Sequence, residues 1–512
     1  EADSEFSDFV AYLLEDPGTK VIGGYLEGAR NGDKLRRVAE KALGLGKPIV
    51  MLKVGRTASG ARAASSHTGS LAGDDQIYDA FFRQTGIVRV DVLSELTAFA
   101  MVHRGGRDFR GRRVGILSGS GGYGVMVADK CESLGLSVPE LGPSTRAELA
   151  RSLPEFGSGR NPIDLTAQAG MDPSMLGKCL RALVADPDVD IILANAFFRE
   201  PNGMALVKEL IEIYESTSKA IVIMSHARLR AGLEVECVER LTQAGIPFLT
   251  DGLAAAKAVT QLAWYQDKAA QAAARDEGPA LPAIAAGEEI TQAIRAGEGL
   301  SEHRSKQILQ GYGIPVTREA LATSAEMAVG LARELGYPVA LKVQSPEIAH
   351  KTEAGGIRLD LDSDDAVRSA YREILGNAER FAPHAEVEGV LVQEMLDGGV
   401  EVIIGATKDP VFGHAIMFGL GGIFVEVLRD VTFRIAPLTR TDAEEMIEEI
   451  AGHRVLQGVR GQPPADREAI VDALLRVSRL VTDHRDEIAE LDINPLVVFP
   501  NGAKAVDALI RA

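Results

Sequence analysis

Cysteine is scarce in the 512-residue chain: Cys131, Cys179 and Cys237 are its three, widely separated and odd in number. They form neither a disulfide framework nor a zinc-ligand spacing, which points to a reducing compartment and a cytoplasmic protein. Long apolar runs are missing too. No stretch approaches the roughly 20 residues that span a bilayer, so no membrane partner is expected. The opening EADSEFSDFV has no basic region, no signal core and no initiator methionine, and reads as the start of a fragment or processed chain. Basic charge is in deficit: 55 Lys and Arg against 73 Asp and Glu give a formal net charge of −18. That excludes a general nucleic-acid or anionic-membrane binder. Any phosphates must be met locally, by backbone N–H groups, magnesium and a few Lys or Arg. The P-loop pattern GxxxxGK followed by Ser or Thr is absent; GLGKP at 44–48 is too short and ends in proline. No short repeat period and no low-complexity tract occurs.

What is present is a nearly continuous alternation of strands and helices, in a chain long enough for roughly three or four domains. KVIGGYLEG (20–28) and PIVMLKVG (48–55) read as strands flanking the helix DKLRRVAEKALGLG (33–46), a βαβ unit with parallel strands. Helices at 73–86 and 92–104 complete a first block, 1–105, ended by the Gly/Arg cluster RGGRDFRGRR. A second block, 106–265, alternates the strands RVGILS, DIILANAF and AIVIMS with four helices and closes on GLAAAKAVTQLAWYQ. Residues 266–292 are rich in Ala, Glu and Pro and read as an exposed linker. The last block, 293–512, opens with the helix SEHRSKQILQGYG. Six strands then crowd together, as in an antiparallel α+β domain.

RRVGILSGSGGYGVMVADK carries Gly119, Gly121, Gly122 and Gly124 between a strand and a helix. Three readings are open. A glycine turn into a helix N-terminus can cradle a phosphate or a phosphohistidine. The spacing also matches a dinucleotide fingerprint, which would want an acid ending the next strand; Glu140 is the nearest candidate. Or the turn is simply tight and binds nothing.

SSHTGSLAG (65–73) sets His67 among small neighbours on the loop after the strand 48–55. Glu27 ends the neighbouring parallel strand. Both positions fall at the carboxyl edge of an open sheet, where ligands bind. A carboxylate on one imidazole nitrogen makes the other nucleophilic. The residues alone equally allow a loop histidine bonded to a carbonyl.

VALKVQSPEIAHKTEAGGIRLDL (339–361) places Lys342 inside a strand, where a buried ammonium wants an anion. His350 follows on a loop with Lys351 beside it and Gly355–Gly356 as a hinge. In AELDINPLVVFPNGAKAVDAL, Asp492 and Asn494 share a strand face, and Asp507 on the returning strand can come opposite. Oxygen ligands of this kind suit magnesium. Gln393 and Glu394 in VLVQEM complete the set.

Taken together, YLEG, SHTGSLAG, SPEIAHKTEAGGI and LDINPL, spread over nearly the whole chain, resemble the ADP-forming acyl-CoA synthetases (acetate–CoA ligases), relatives of succinyl-CoA synthetase. The resemblance implies two flavodoxin-like parallel-sheet ligase domains followed by an ATP-grasp domain over 293–512. It implies that acid, ATP and CoA give acyl-CoA, ADP and phosphate through an acyl phosphate and phosphohistidines. His67 would be the primary phosphorylated histidine and Glu27 its partner. His350 would be a second phosphorylation site on a mobile relay loop. Gly119, Gly121 and Gly122 would belong to the turn that receives the phosphorylated loop. Lys342 would contact nucleotide phosphates, Gln393 and Glu394 the adenine or ribose, and Asn494 and Asp507 magnesium. FGLGGIFVEV (418–427), with Glu426, resembles a phosphate-side loop. Family members usually begin with a CoA-binding domain, so the resemblance places the CoA site outside this chain, on a partner chain or a missing segment. A small carboxylic acid and a nucleotide are the expected partners, in a homo-oligomer or with that partner chain. Two rivals stay open: an ATP-grasp carboxylate–amine ligase, and a non-catalytic subunit that responds to nucleotide or acyl-CoA.

Overall fold

The computed structural model describes residues 4–57, 59–60, 62, 74–155, 157–166, 172–225, 232–274, 292, 294, 300–348, 351–422, 430–459 and 461–511. The chain divides into two units, 1–75 with 85–276 and 76–84 with 277–512.

The first unit holds two parallel sheets, as the alternation predicts. β1 (Ile22–Leu26), β2 (Ile49–Lys53) and β3 (Val88–Val90) pair in that order. β4 (Val114–Ser118), β5 (Ile163–Asp164), β6 (Ile191–Asn195), β7 (Ala220–Met224) and β8 (Phe248–Leu249) pair in the order β5-β4-β6-β7-β8. The strands β4, β6 and β7 are buried at every residue, as strands covered on both faces must be. Their alternation sorts side chains into two cores. Val114, Ile116, Ile191, Leu193 and Val222 enter one, while Leu117, Ile192, Ala194, Ile221 and Ile223 enter the other. The first of these cores also takes Val50, Leu52, Val88 and Val90 from the smaller sheet, so the two expected blocks share a core and form one unit.

The helix that closes this unit runs Gly252–Ala273, past the end expected near 265. The expected linker 266–292 therefore starts as helix. Ala, Gln and Lys extend a helix by backbone propensity without apolar periodicity. Gln266 anchors the extension: its Oε1 accepts from the Phe109 N–H at 2.7 Å and its Nε2 donates to the Arg107 carbonyl at 2.9 Å.

The second unit is antiparallel, as strand crowding predicts. β9 (Glu319–Ala322), β10 (Val339–Gln344), β11 (Ile357–Leu361) and β12 (Gly389–Glu394) form one sheet in the order β11-β10-β12-β9. β13 (Val400–Asp409), β14 (Gly413–Leu420), β15 (Val431–Ile435), β16 (Glu490–Val498) and β17 (Ala503–Ala505) form the other, in the order β15-β14-β13-β16-β17, and β18 (Ala508–Arg511) also pairs with β16. One element was not expected here. Residues 76–84 of the helix Asp75–Thr85, which the sequence order puts in the first block, cluster with this unit. The reason is an edge: β15 ends its sheet, and the Gln84 amide acts as a short extra strand. The Ile435 N–H donates to Gln84 Oε1 at 2.7 Å, and Gln84 Nε2 returns a bond to the Ile435 carbonyl at 3.0 Å. Tyr78 and Phe81 pack on Phe412 beside it, with ring centroids 4.9 and 4.5 Å away.

The same strand carries Arg434, whose side chain is 1% exposed. Its guanidinium grips Glu449 at 2.6 and 2.9 Å. Burial works to raise the Glu449 carboxyl, but the hydrogen bonds and charge of Arg434 outweigh it and hold the group at about 2. An acid whose folded-state pKa is depressed stabilises above its unfolded value, and that contribution is lost as pH falls through the folded one. Glu449→Gln is therefore expected to cost on the order of 3 kcal/mol at pH 7. The cost should shrink steadily below pH 4.5 toward pH 2. Urea midpoints of both proteins across this range measure it; a cost independent of pH would contradict the pairing.

Candidate active site

In the first unit the carboxyl edge of the larger sheet carries the glycine turn. β4 stops at Ser118, and the helix Gly121–Ser133 starts three residues later. Ser118 closes the turn: its Oγ donates to the Ser120 carbonyl at 2.8 Å and accepts from the Ser120 N–H at 3.2 Å. The N-cap residue Ser120 makes no side-chain cap hydrogen bond, so the helix's N-terminal donors and dipole face the turn. Glycine at 121 is a matter of space. A Cβ there would lie 2.7 Å from Asp164 Oδ2, whose partner oxygen is tied to the Thr166 N–H at 2.8 Å. At Gly119 a Cβ would meet the Phe197 ring at 3.1 Å, whereas at Gly122 nothing among the described residues lies within 4 Å. The dinucleotide reading loses its acid: Glu140 is exposed and lies on no strand, the nearest pairing being an isolated bridge from Ser137 to Arg113.

Glu27 follows β1 directly, is half-buried, and sits beside the end of β2, where the Val54 N–H donates to the Leu26 carbonyl at 3.1 Å. His67 lies outside the described residues. The sequence reading missed two basic groups at this edge. Lys53 is 1% exposed at the end of β2; burial pulls its ammonium down, with Asp75 and Glu27 acting against it. Arg56 pairs with Asp75 and Asp91. The signal for Lys53 was the one used at Lys342, a lysine inside an apolar strand.

In the second unit Lys342 does sit in a buried strand, and it has found its anion. Its Nζ donates to Glu302 Oε1 at 2.9 Å and reaches the Val506 carbonyl at 3.4 Å and Asp507 Oδ2 at 3.5 Å. Burial would lower its pKa, but Glu302 and Asp507 raise it, so Lys342 is held charged. Burial likewise works to raise Glu302, yet Lys342, Lys306 and Lys351 keep it far below the usual carboxylate range. Glu302 was not singled out from sequence. Its signal was the Glu302–Lys306 spacing on one helix turn, which normally marks a solvated pair.

Asp507 stands opposite Asn494 on the last hairpin, the Asn494 N–H donating to the Asp507 carbonyl at 3.2 Å. Asn494 is exposed and the Asp507 side chain is 35% exposed. Among the described residues no group of three or more His, Cys, Asp or Glu side chains is arranged to hold a metal. Two open oxygen donors still fit magnesium, which keeps several waters and needs only one or two protein ligands beside substrate phosphates. Asp492, on the Asn494 face, is pushed up to about 6 by burial and by the charges of Glu490 and Asp507.

Gln393 joins Lys342 at the Val506 carbonyl: its Nε2 donates there at 3.0 Å and to Thr317 Oγ1 at 2.9 Å. Its Oε1 is buried without a partner among the described residues, an acceptor left for a donor. Glu394 is already engaged, by Arg318 Nε at 2.7 Å and Lys504 Nζ at 2.6 Å; burial raises its carboxyl, but Lys504 and Arg318 bring it down on balance. Lys342, Gln393, Asn494 and Asp507 are thus brought together, with Glu394 one residue along, while Glu27 and the glycine turn belong to the other unit. His350 and Glu426 lie outside the described residues. The Gly355–Gly356 hinge is instead an anchored turn. The Gly356 N–H donates to the Lys351 carbonyl, its carbonyl accepts from the Val343 N–H, both at 2.8 Å, and a Cβ on it would strike Val343 at 2.6 Å.

The two glycines of the turn make a matched test. Gly121→Ala must push Asp164 aside and is expected to cost about 1–3 kcal/mol. Gly122→Ala has open space on a helix and should leave stability equal or slightly improved. Thermal denaturation of the pair checks this; equal effects would refute the close approach.

Three family models match the chain: a succinyl-CoA ligase like flavodoxin domain over 1–103, a Ligase-CoA domain over 114–266 and an ATP-grasp domain over 292–512. Acetate–CoA ligase [ADP-forming] I of Archaeoglobus fulgidus is 39% identical over 503 residues, 98% of this chain and 71% of that protein. A 4-hydroxybutyrate–CoA ligase [ADP-forming] of Nitrosopumilus maritimus is 34% identical over 499 residues, 97% of this chain and 70% of that one. Acetate–CoA ligase [ADP-forming] II subunit beta of Pyrococcus furiosus is 53% identical over 205 residues, 40% of this chain and 87% of the subunit. The expectation of a CoA site outside the chain is corrected by the Ligase-CoA match at 114–266. A partner chain that supplies one is not required, although the P. furiosus relative is a separate subunit. Among the described residues no helix is long and apolar enough to cross a membrane. With ATP-grasp, Ligase-CoA and flavodoxin-like matches in one polypeptide and such relatives along its length, the chain belongs to the ADP-forming acyl-CoA ligases, acid–thiol ligases that use ATP and CoA.

Proposed function

We propose that this ligase passes the phosphoryl group through His350 and His67 and that its acid is a small carboxylic acid. An imidazole nitrogen of His350 attacks the γ-phosphorus of ATP and ADP leaves. The group passes to His67, whose ring Glu27 orients, and then to the acid's carboxylate. CoA thiolate attacks the resulting acyl phosphate at carbon and phosphate leaves. Lys342 faces the nucleotide phosphates, and the unpaired Gln393 Oε1, with Glu394 beside it, serves the adenine or ribose. Asn494 and Asp507 would hold magnesium, whose charge would offset that of the phosphates. Gly119, Gly121 and Gly122 open the helix whose N-terminus receives the phosphorylated His67 loop. Each transfer relies mainly on positioning and charge neutralisation.

One observation carries the nucleotide half of this reading: a charged, buried Lys342 lies 3.5 Å from the carboxylate of Asp507, whose backbone carbonyl accepts from the Asn494 N–H. A phosphate offered to this corner meets a fixed cation beside two open oxygen ligands.

Incubation with γ-labelled ATP and magnesium is expected to give acid-labile, base-stable label. His350→Ala should abolish it. His67→Ala should leave His350 labelled but stop acyl-CoA formation. No label on correctly folded protein would refute the relay, and full activity of His67→Ala would favour an acyl-phosphate ligase without phosphohistidine.

A further inference from the structure

The relay as proposed leaves Glu302 unused, yet its carboxylate meets three lysines. It opens the helix Glu302–Gly311, and its side chain is 1% exposed. Oε1 accepts from Lys342 at 2.9 Å and from Lys306 at 2.7 Å. Oε2 accepts from Lys351. Lys306 also pairs with Glu319, which meets His303 Nδ1 at 3.0 Å. Lys342 and Lys351 share a second acid, Asp507, at 3.5 and 3.8 Å.

Three lysines thus face three acids, and the acids are not equivalent. Glu302 and Glu319 are 1% and 5% exposed, whereas Asp507 is 35% exposed. A sealed carboxylate cannot trade partners with a ligand; an open one can. Asp507 is therefore the exchangeable counter-ion of Lys342, and Glu302 the permanent one of both Lys342 and Lys351. The two lysines come from different places. Lys342 lies in β10, and Lys351 directly follows His350 in the chain. Lys351 is itself 13% exposed, so its ammonium is committed inward.

On the phosphohistidine reading above, we infer that Glu302 is a positioning residue for phosphoryl transfer: by holding Lys351 and Lys342 on its two oxygens, it pins the root of the His350 segment to the nucleotide lysine. It touches no reacting atom in this role. It sets where the segment starts, and Lys351 is the tether. A tether of this kind leaves nucleotide binding intact and acts on the transfer step, where a misplacement of about 1 Å can cost two orders of magnitude.

The test separates binding from transfer in the full-length protein. Lys351→Met leaves Glu302 paired with Lys306 and Lys342, so the buried carboxylate keeps two cations. Calorimetry with ATP and magnesium gives affinity, and rapid-quench labelling from γ-labelled ATP gives the transfer rate. Lys351→Met is expected to bind ATP within about threefold of the parent but to label His350 about tenfold or more slowly, with Lys351→Arg recovering most of the rate. Glu302→Gln should slow labelling at least as much, and the double variant should be no slower than the worse single one. Labelling of Lys351→Met at the parent rate would overturn the inference. So would a loss of ATP affinity matching the loss of rate, which would make Lys351 a nucleotide contact. So would additive effects in the double variant. Absence of label in the parent protein would remove the phosphohistidine reading itself, and the tether with it.

Discussion

A lysine ammonium inside a β-sheet is tolerable only if an anion comes to it, because leaving a charge unpaired in the interior costs several kcal/mol. Lys342 imposes that condition on the second unit. Meeting it brings the helix Glu302–Gly311 against β10, so that Glu302 can reach the ammonium. It also brings in the final hairpin, whose Val506 carbonyl accepts from both Lys342 and Gln393. A strand, a helix and the chain's last turn are thereby fastened at one point. Among the described residues that point has one open acid, Asp507. The arrangement that makes a buried cation affordable also leaves it one partner that a phosphate could replace.

The first unit works from a different constraint, the directionality of parallel sheets. When all strands of a sheet run one way, the loops after them gather at one edge, and helix N-termini there supply unpaired donors. Gly119 and Gly121 let the turn after β4 come close to Phe197 and Asp164. In the smaller sheet Lys53 ends β2 and Glu27 directly follows β1. Such edges can meet an anion through backbone donors even in a chain whose net charge is −18.

Much of this was legible in residues alone. Strand and helix order followed from apolar periodicity, and so did the contrast between parallel and antiparallel halves, because helical crossovers and close strand succession leave different spacings. Lys342 stood out because its neighbours Val339, Ala340, Leu341 and Val343 are apolar. Asn494 and Asp507 could be paired across a turn marked by Pro500, Asn501 and Gly502. What escaped notice were groups whose meaning is set by partners distant in sequence. Glu302 looks like an ordinary surface acid until Lys342 and Lys351, 40 and 49 residues on, are seen against it. Gln84 looks like a helix residue of the first block until it meets the edge of β15, 351 residues away.

The sequence by itself determined the periodicities, the turn residues and the chemical inventory of the site, since these depend on neighbours a few positions apart. The family followed from the same local evidence, in YLEG, SHTGSLAG, SPEIAHKTEAGGI and LDINPL. Tertiary structure alone decided which acid each buried cation received and which carboxylate stayed open to solvent. It also decided which unit the helix Asp75–Thr85 joined. The physical reason is that charge pairing and edge capping act through space over a few ångströms. No pattern of adjacent residues specifies which far segment will come within that reach.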